Sequence, residues 1–121
     1  MPETKPTKYA YAAYVVRVID GDTLEVDVDL GLWTWCKGIK LRMARINMPE
    51  IDTDAGFYAK SKLEMHVLGR GRVLLHTIKN RHGKDREDKY GRLLAEVWVA
   101  DTNVNDAMIE WWEARRGKTA M

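Results

Sequence analysis

The sequence predicts an α+β domain, mainly β, built as a five-stranded barrel with two helices. Two observations carry that prediction. Short apolar/polar alternations separated by turn residues recur through most of the chain. Only two segments instead place their apolar residues at helical spacing. A chain of 121 residues has room for one core, and 45% hydrophobic with 31% charged residues suits a folded globule with a wet surface.

The elements follow in order. Tyr9 to Ile19 is rich in Tyr and Val and reads as strand one. Asp20-Gly21 makes a turn. Leu24, Val26, Val28 and Leu30 then alternate with Glu25, Asp27 and Asp29, the pattern of a half-buried strand. Gly31 to Gly38, carrying Trp33 and Trp35, reads as a hairpin connection. Ile39, Leu41 and Met43 alternate with Lys40 and Arg42 as strand three, which ends near Asn47 because Pro49 cannot continue a central ladder. Thr53-Asp54 caps a helix from about Ala55 to Leu68, with Ala55, Ala59, Leu63 and Val67 on one face and Gly69 as the stop. Arg72 to Lys79 is strand four, Asn80 to Asp88 a polar loop, and Leu93 to Val99 strand five. Val104, Ala107, Met108, Trp111, Trp112 and Arg115 mark the second helix, with Gly117 past its end. Three strands, a helix, two strands and a helix is the element order of an OB-fold, a small barrel that often binds oligonucleotides. The domain therefore spans residues 9–117, between a disordered N-terminal tail of residues 1–8 and a C-terminal tail of residues 118–121.

Composition narrows the functional classes. No apolar run approaches the roughly 20 residues of a membrane helix. The start has no apolar stretch after its charges, so no signal peptide is expected and the setting is read as cytoplasmic. Cys36 is the only cysteine, which rules out an internal disulfide and suits a reducing compartment; it is expected to be a buried small residue. His66, His76 and His82 lack metal-ligand spacing. The net charge is only +2, but Arg70 to Arg92 holds eight Lys or Arg against three Asp or Glu, leaving −3 for the remainder. Such a basic segment is either a solvated loop or a nucleic-acid footprint.

Three clusters hold side chains suited to phosphodiester chemistry. Asp20-Gly21-Asp22-Thr23 supplies hard carboxylate oxygens at a turn. Arg42 on strand three is followed by Asn47, Met48, Pro49 and Glu50. Pro49 fixes its own backbone and biases Met48 toward an extended shape, giving the Met48 carbonyl and the Glu50 carboxylate defined directions. Lys89-Tyr90-Gly91-Arg92 brings a second guanidinium, whose planar fork can make paired bonds to phosphate.

Together these segments resemble the staphylococcal nuclease (thermonuclease-like) family. The resemblance rests on V-I-D-G-D-T at Val18 to Thr23, R-x-x-x-I-N-x-P-E at Arg42 to Glu50, D-K-Y-G-R-x-L-A at Asp88 to Ala95 and V-N-D-A-M-I at Val104 to Ile109, in the family's order. It implies a metal-dependent nuclease acting on DNA or RNA, single strands favoured, with Ca²⁺ as cofactor. Asp22 then corresponds to a direct calcium ligand and the Met48 carbonyl to a second. Asn47 falls where the family usually has a ligating aspartate. Glu50 corresponds to the general base on the attacking water, and Arg42 and Arg92 to the pair that binds the scissile phosphate. Asp20, Thr23, Lys89 and Tyr90 fall in supporting or substrate-contact positions. The alternative is an OB-type module that holds nucleic acid or protein without cutting it. Trp33 and Trp35 are candidates for base stacking or for a protein contact.

Overall fold

The computed structural model describes residues 10–78 and 92–120, with side chains to residue 116. Five strands close a barrel: β1 (Ala10–Asp20), β2 (Thr23–Gly31), β3 (Thr34–Met43), β4 (Arg72–Thr77) and β5 (Leu93–Val99). The sheet order is β3-β2-β1-β4-β5, and β5 returns to pair with β3, closing the ring. All barrel pairings are antiparallel except β3–β5, where Leu41, Arg42 and Met43 lie beside Leu93, Leu94 and Ala95 in parallel. The OB-type expectation is met, and closure removes the edges that an open sheet of this size would leave exposed.

The alternation read in strand two places Leu24, Val26 and Val28 in the core, with Leu41, Met43, Val73, Leu75, Ala95 and Val97 from the other strands. Helix α1 (Asp54–Val67) is capped by Thr53, whose Oγ1 accepts the Gly56 N–H at 3.0 Å. It buries Gly56, Ala59, Leu63 and Val67. A two-residue strand β6 (Thr102–Asn103), which the sequence pattern does not show, leads into helix α2 (Val104–Ala120). Val104 and Met108 are fully buried, while Trp111 and Trp112 pack partly buried against the core.

Three expectations change. The hairpin connection Gly31 to Gly38 shrinks to a tight turn at Leu32 and Trp33, both with positive φ, so Trp35 and Cys36 belong to β3. Every residue from Leu30 to Gly38 is exposed, because only the Leu41–Met43 end of β3 meets β5. Cys36 is therefore exposed rather than buried. Helix α2 continues through Gly117 to Ala120; a lone glycine inside a helix costs only about 1 kcal/mol. No described helix is long and apolar enough to cross a membrane. The tail of residues 1–8, the polar loop at Asn80 to Asp88, and Lys89 and Tyr90 lie outside the described residues.

Candidate active site

The site forms where β1 turns into β2 and β3 gives way to a loop. Gly21 is buried under α1, and a Cβ added to it would lie 2.6 Å from the Ala59 Cβ and 2.9 Å from the Met48 Cβ. Only glycine lets the turn pass this closely beneath the helix and the Met48 side chain. The turn delivers Asp22 into the protein, where it is 6% exposed.

Asp22 is the hub. Its Oδ2 accepts the Met48 backbone N–H at 2.8 Å, and its Oδ1 accepts the Thr23 hydroxyl at 3.0 Å. Its own N–H donates to Asp20 Oδ1 at 3.1 Å. Arg42 Nη2 stands 3.5 Å from Oδ2. Burial, a side-chain hydrogen bond with Asp20 and that neighbour's negative charge push the Asp22 carboxyl up to about 6, against the pull of the Met48 N–H and Arg42. The Met48 N–H and Arg42 do not fully offset burial and the neighbouring Asp20 carboxylate.

Arg42 pairs in register with Thr23 on one side and with Leu94 on the other. Its Nη1 donates to the Met43 carbonyl at 2.8 Å, and its Nη2 reaches Asn47 Oδ1 at a long 3.4 Å. This arginine is not the outward, solvated residue that strand alternation suggests; its side chain is 17% exposed. Arg92, just before β5, directs Nη1 to Thr23 Oγ1, also at 3.4 Å. The Thr23 hydroxyl thus links Arg92 to Asp22.

Glu50 is held by its backbone. Its carbonyl accepts from Thr53 N at 3.1 Å and from Thr53 Oγ1 at 2.7 Å. Gly56 packs so tightly there that an added Cβ would overlap the Glu50 carbonyl. The Glu50 side chain is exposed, with no hydrogen bond or ion pair to another described residue. The structure therefore joins Asp20, Asp22, Thr23, Arg42, Asn47, Met48 and Arg92, and fixes the Glu50 backbone further along the loop, with no described hydrogen bond or ion pair from its side chain to that group.

Among the described residues no group of three or more His, Cys, Asp or Glu converges to hold a metal. The oxygens available near Asp22 are the two carboxylates of Asp20 and Asp22, the Asn47 amide and the backbone carbonyls of the loop. An all-oxygen set with two acidic members, one of them buried with its charge incompletely offset, is of the chemistry that suits a hard cation such as Ca²⁺.

A second network supports the loop from behind. Asn105, fully buried in the first turn of α2, donates Nδ2 to the Ala44 and Ala95 carbonyls at 2.8 and 3.2 Å, and its Oδ1 accepts Val97 N–H at 2.9 Å. Arg45 bonds Glu96 and Asp106. The V-N-D-A-M-I motif contains Asn105 and Asp106, but sequence alone gives neither a role.

A small closed barrel with two helices, carrying a buried carboxylate and two arginines around its β1–β2 turn, is a domain of OB type. The family model for staphylococcal nuclease homologues matches residues 40–117, and the chain belongs to this family. It is 32% identical over 96 residues to an uncharacterized endonuclease of Escherichia coli O157:H7, covering 78% of this chain and 54% of that protein. It is 32% identical over 104 residues to a thermonuclease of Staphylococcus hyicus, covering 84% and 56%. Protein ParB of Escherichia coli is 34% identical over 104 residues, covering 78% and 51%. The chain spans about half the length of these relatives.

Proposed function

We propose that this domain is a metal-dependent nuclease that hydrolyses phosphodiester bonds of DNA or RNA, single strands favoured. The observation that carries the reading is the convergence of Arg42, on β3, and Arg92, just before β5, on Asp22 and Thr23 where β1 turns into β2. Two relatives named as nucleases support the reaction class.

Asp22, the Asn47 amide and the Met48 carbonyl would hold the cation. A bound Ca²⁺ would neutralise a phosphate oxygen and orient the reacting groups. Arg42 and Arg92 bind the non-bridging oxygens and stabilise the charge that grows as phosphorus becomes five-coordinate. Glu50 accepts a proton from the attacking water. The new P–O bond forms as the bond to the leaving oxygen breaks, and that oxygen gains a proton. Lys89 and Tyr90 contact the substrate backbone, and Asp20 and Thr23 orient Asp22 and Arg92.

The test is cleavage of labelled single-stranded DNA and RNA in Ca²⁺ and in EDTA, beside Glu50→Gln. Cleavage that requires both the metal and Glu50 is expected. A second reading, a module that binds without cutting, is favoured by the uncharged Asn47 and by the exposed Trp33, which is 96% accessible, beside Trp35. Retention of labelled strands with no cleavage in any divalent metal would select that reading.

A further inference from the structure

Arg45 has a left-handed backbone, with φ at 72°. Long side chains seldom adopt that region, which glycine, asparagine and aspartate tolerate better. Its side chain shows what holds it there. Nε donates to Glu96 Oε2 and Nη2 to Glu96 Oε1, both at 2.6 Å, a fork on a carboxylate. Nη2 also reaches Asp106 Oδ1 at 2.7 Å. The acceptors are themselves fixed: Asn103 Nδ2 donates to Glu96 Oε1 at 3.0 Å, and Asn103 Oδ1 accepts the Asp106 N–H at 2.9 Å. One guanidinium thus ties the loop after β3 to β5 and to the first turn of α2.

An ordinary surface ion pair does little. This one differs because it joins three elements and secures a disfavoured backbone turn. That turn lies between Arg42 and the Asn47–Glu50 segment, and Met48 reaches Asp22 only if the chain leaves Arg45 in the observed direction. We propose that Arg45 is a positioning residue: its bonds to Glu96 and Asp106 set the loop so that the Met48 N–H meets the Asp22 carboxylate and the chain leading to Glu50 leaves in a fixed direction, on which the base role of Glu50 depends. The part concerning Glu50 rests on the nuclease reading above; the part concerning Met48 does not.

The experiment follows amide hydrogen exchange of Met48 and cleavage kinetics on single-stranded DNA in Ca²⁺. It compares wild type with Arg45→Ala, Arg45→Gly and Arg45→Lys. Arg45→Gly suits the left-handed backbone but removes the fork, and Arg45→Lys keeps the charge without it. In all three, Met48 exchange is expected to accelerate roughly tenfold or more relative to wild type, while core amides of Val26 and Val97 stay protected. The turnover number is expected to fall on the order of ten- to a hundredfold with KM little changed, as for misplaced catalytic groups. Unchanged Met48 protection and turnover in Arg45→Ala and Arg45→Gly would overturn the proposal. So would wild-type behaviour of Arg45→Lys, which would reduce the role to charge alone. Should the Arg45 variants lose core protection, Glu96→Gln gives the same two readings in an intact side-chain volume. If wild type does not cleave, the nuclease reading fails while Met48 exchange still decides the role of Arg45.

Discussion

The backbone N–H of Met48 donates to Oδ2 of Asp22 across 26 residues of sequence, at 2.8 Å. This bond joins the β1–β2 turn to the loop after β3, so the acidic turn and the Asn47–Glu50 segment form one unit. Its acceptor is a buried carboxylate, and a charge in that position costs stability unless something neutralises it.

Asp22→Asn follows directly. The folded Asp22 carboxyl ionises at about 6, against an ordinary value of 3.8. The folded state therefore binds more protons than the unfolded chain between these values, and stability falls as pH rises through the window. The penalty is absent below pH 3.8 and fully present above pH 6. Asp22→Asn removes it while keeping an oxygen for the Met48 N–H. Relative to wild type without metal, the variant should gain on the order of a few kcal/mol on going from low to neutral pH. Urea unfolding of both proteins across that range is the measurement, and a pH-independent difference would contradict it. Activity should nevertheless be lost at every pH.

Asn47→Asp restores a carboxylate beside Arg42 and Asp22. Calcium affinity rises with the number of charged ligands, so the variant should bind Ca²⁺ about tenfold more tightly than wild type. Titration calorimetry at neutral pH reads this directly. Equal affinities would mean that other groups already offset the missing charge.

Arg42→Ala and Arg92→Ala should each lower the turnover number by roughly 10²–10³ on single-stranded DNA. Arg42 also partly offsets the charge of buried Asp22 and bonds the Met43 carbonyl, so its loss should lower Tm as well. Full activity in either variant would remove that arginine from the mechanism.

Gly56→Ala tests the other end of the loop. The new Cβ would collide with the Glu50 carbonyl, which is backbone and cannot swing aside. Either α1 shifts or the Thr53–Glu50 turn opens. Helix propensity alone would make Ala stabilising by up to about 1 kcal/mol at an ordinary helical glycine. The opposite sign is expected: a clear drop in Tm and a large fall in turnover. A stabilised, fully active variant would show that the turn yields freely.

The barrel was legible because alternation and turn residues are local signals. Leu24 through Val28 declared its buried face directly, and Thr53 declared its helix cap. The site was legible only where side-chain type carried its own chemistry, as at Asp22, Arg42 and Arg92. The arm from Leu30 to Gly38 was misjudged because exposure there depends on where β5 stops pairing with β3, a long-range fact. Arg45, Gly56 and Asn105 were silent for a similar reason. Their roles arise from a positive φ, a close backbone approach and three distant carbonyl or amide partners, none of which leaves a mark in neighbouring residues.

Asn105 gives the last prediction. Its side chain satisfies the Ala44 and Ala95 carbonyls and the Val97 N–H, all inside the protein. Asn105→Leu keeps a similar volume but strands these polar groups, each at a cost of about 1–3 kcal/mol. Ala44 N–H already donates to the Ala95 carbonyl at 2.9 Å, so that carbonyl keeps one partner and the total should stay near 3–5 kcal/mol. Asn105→Asp retains the acceptor for Val97 but turns an oxygen toward two carbonyls, and should destabilise comparably at neutral pH. It should recover part of the loss in acid, where a protonated carboxyl can donate to one carbonyl. Denaturant unfolding at neutral and acid pH separates the two variants. An Asn105→Leu protein as stable as wild type would show that this amide does not fasten α2 to the loop after β3.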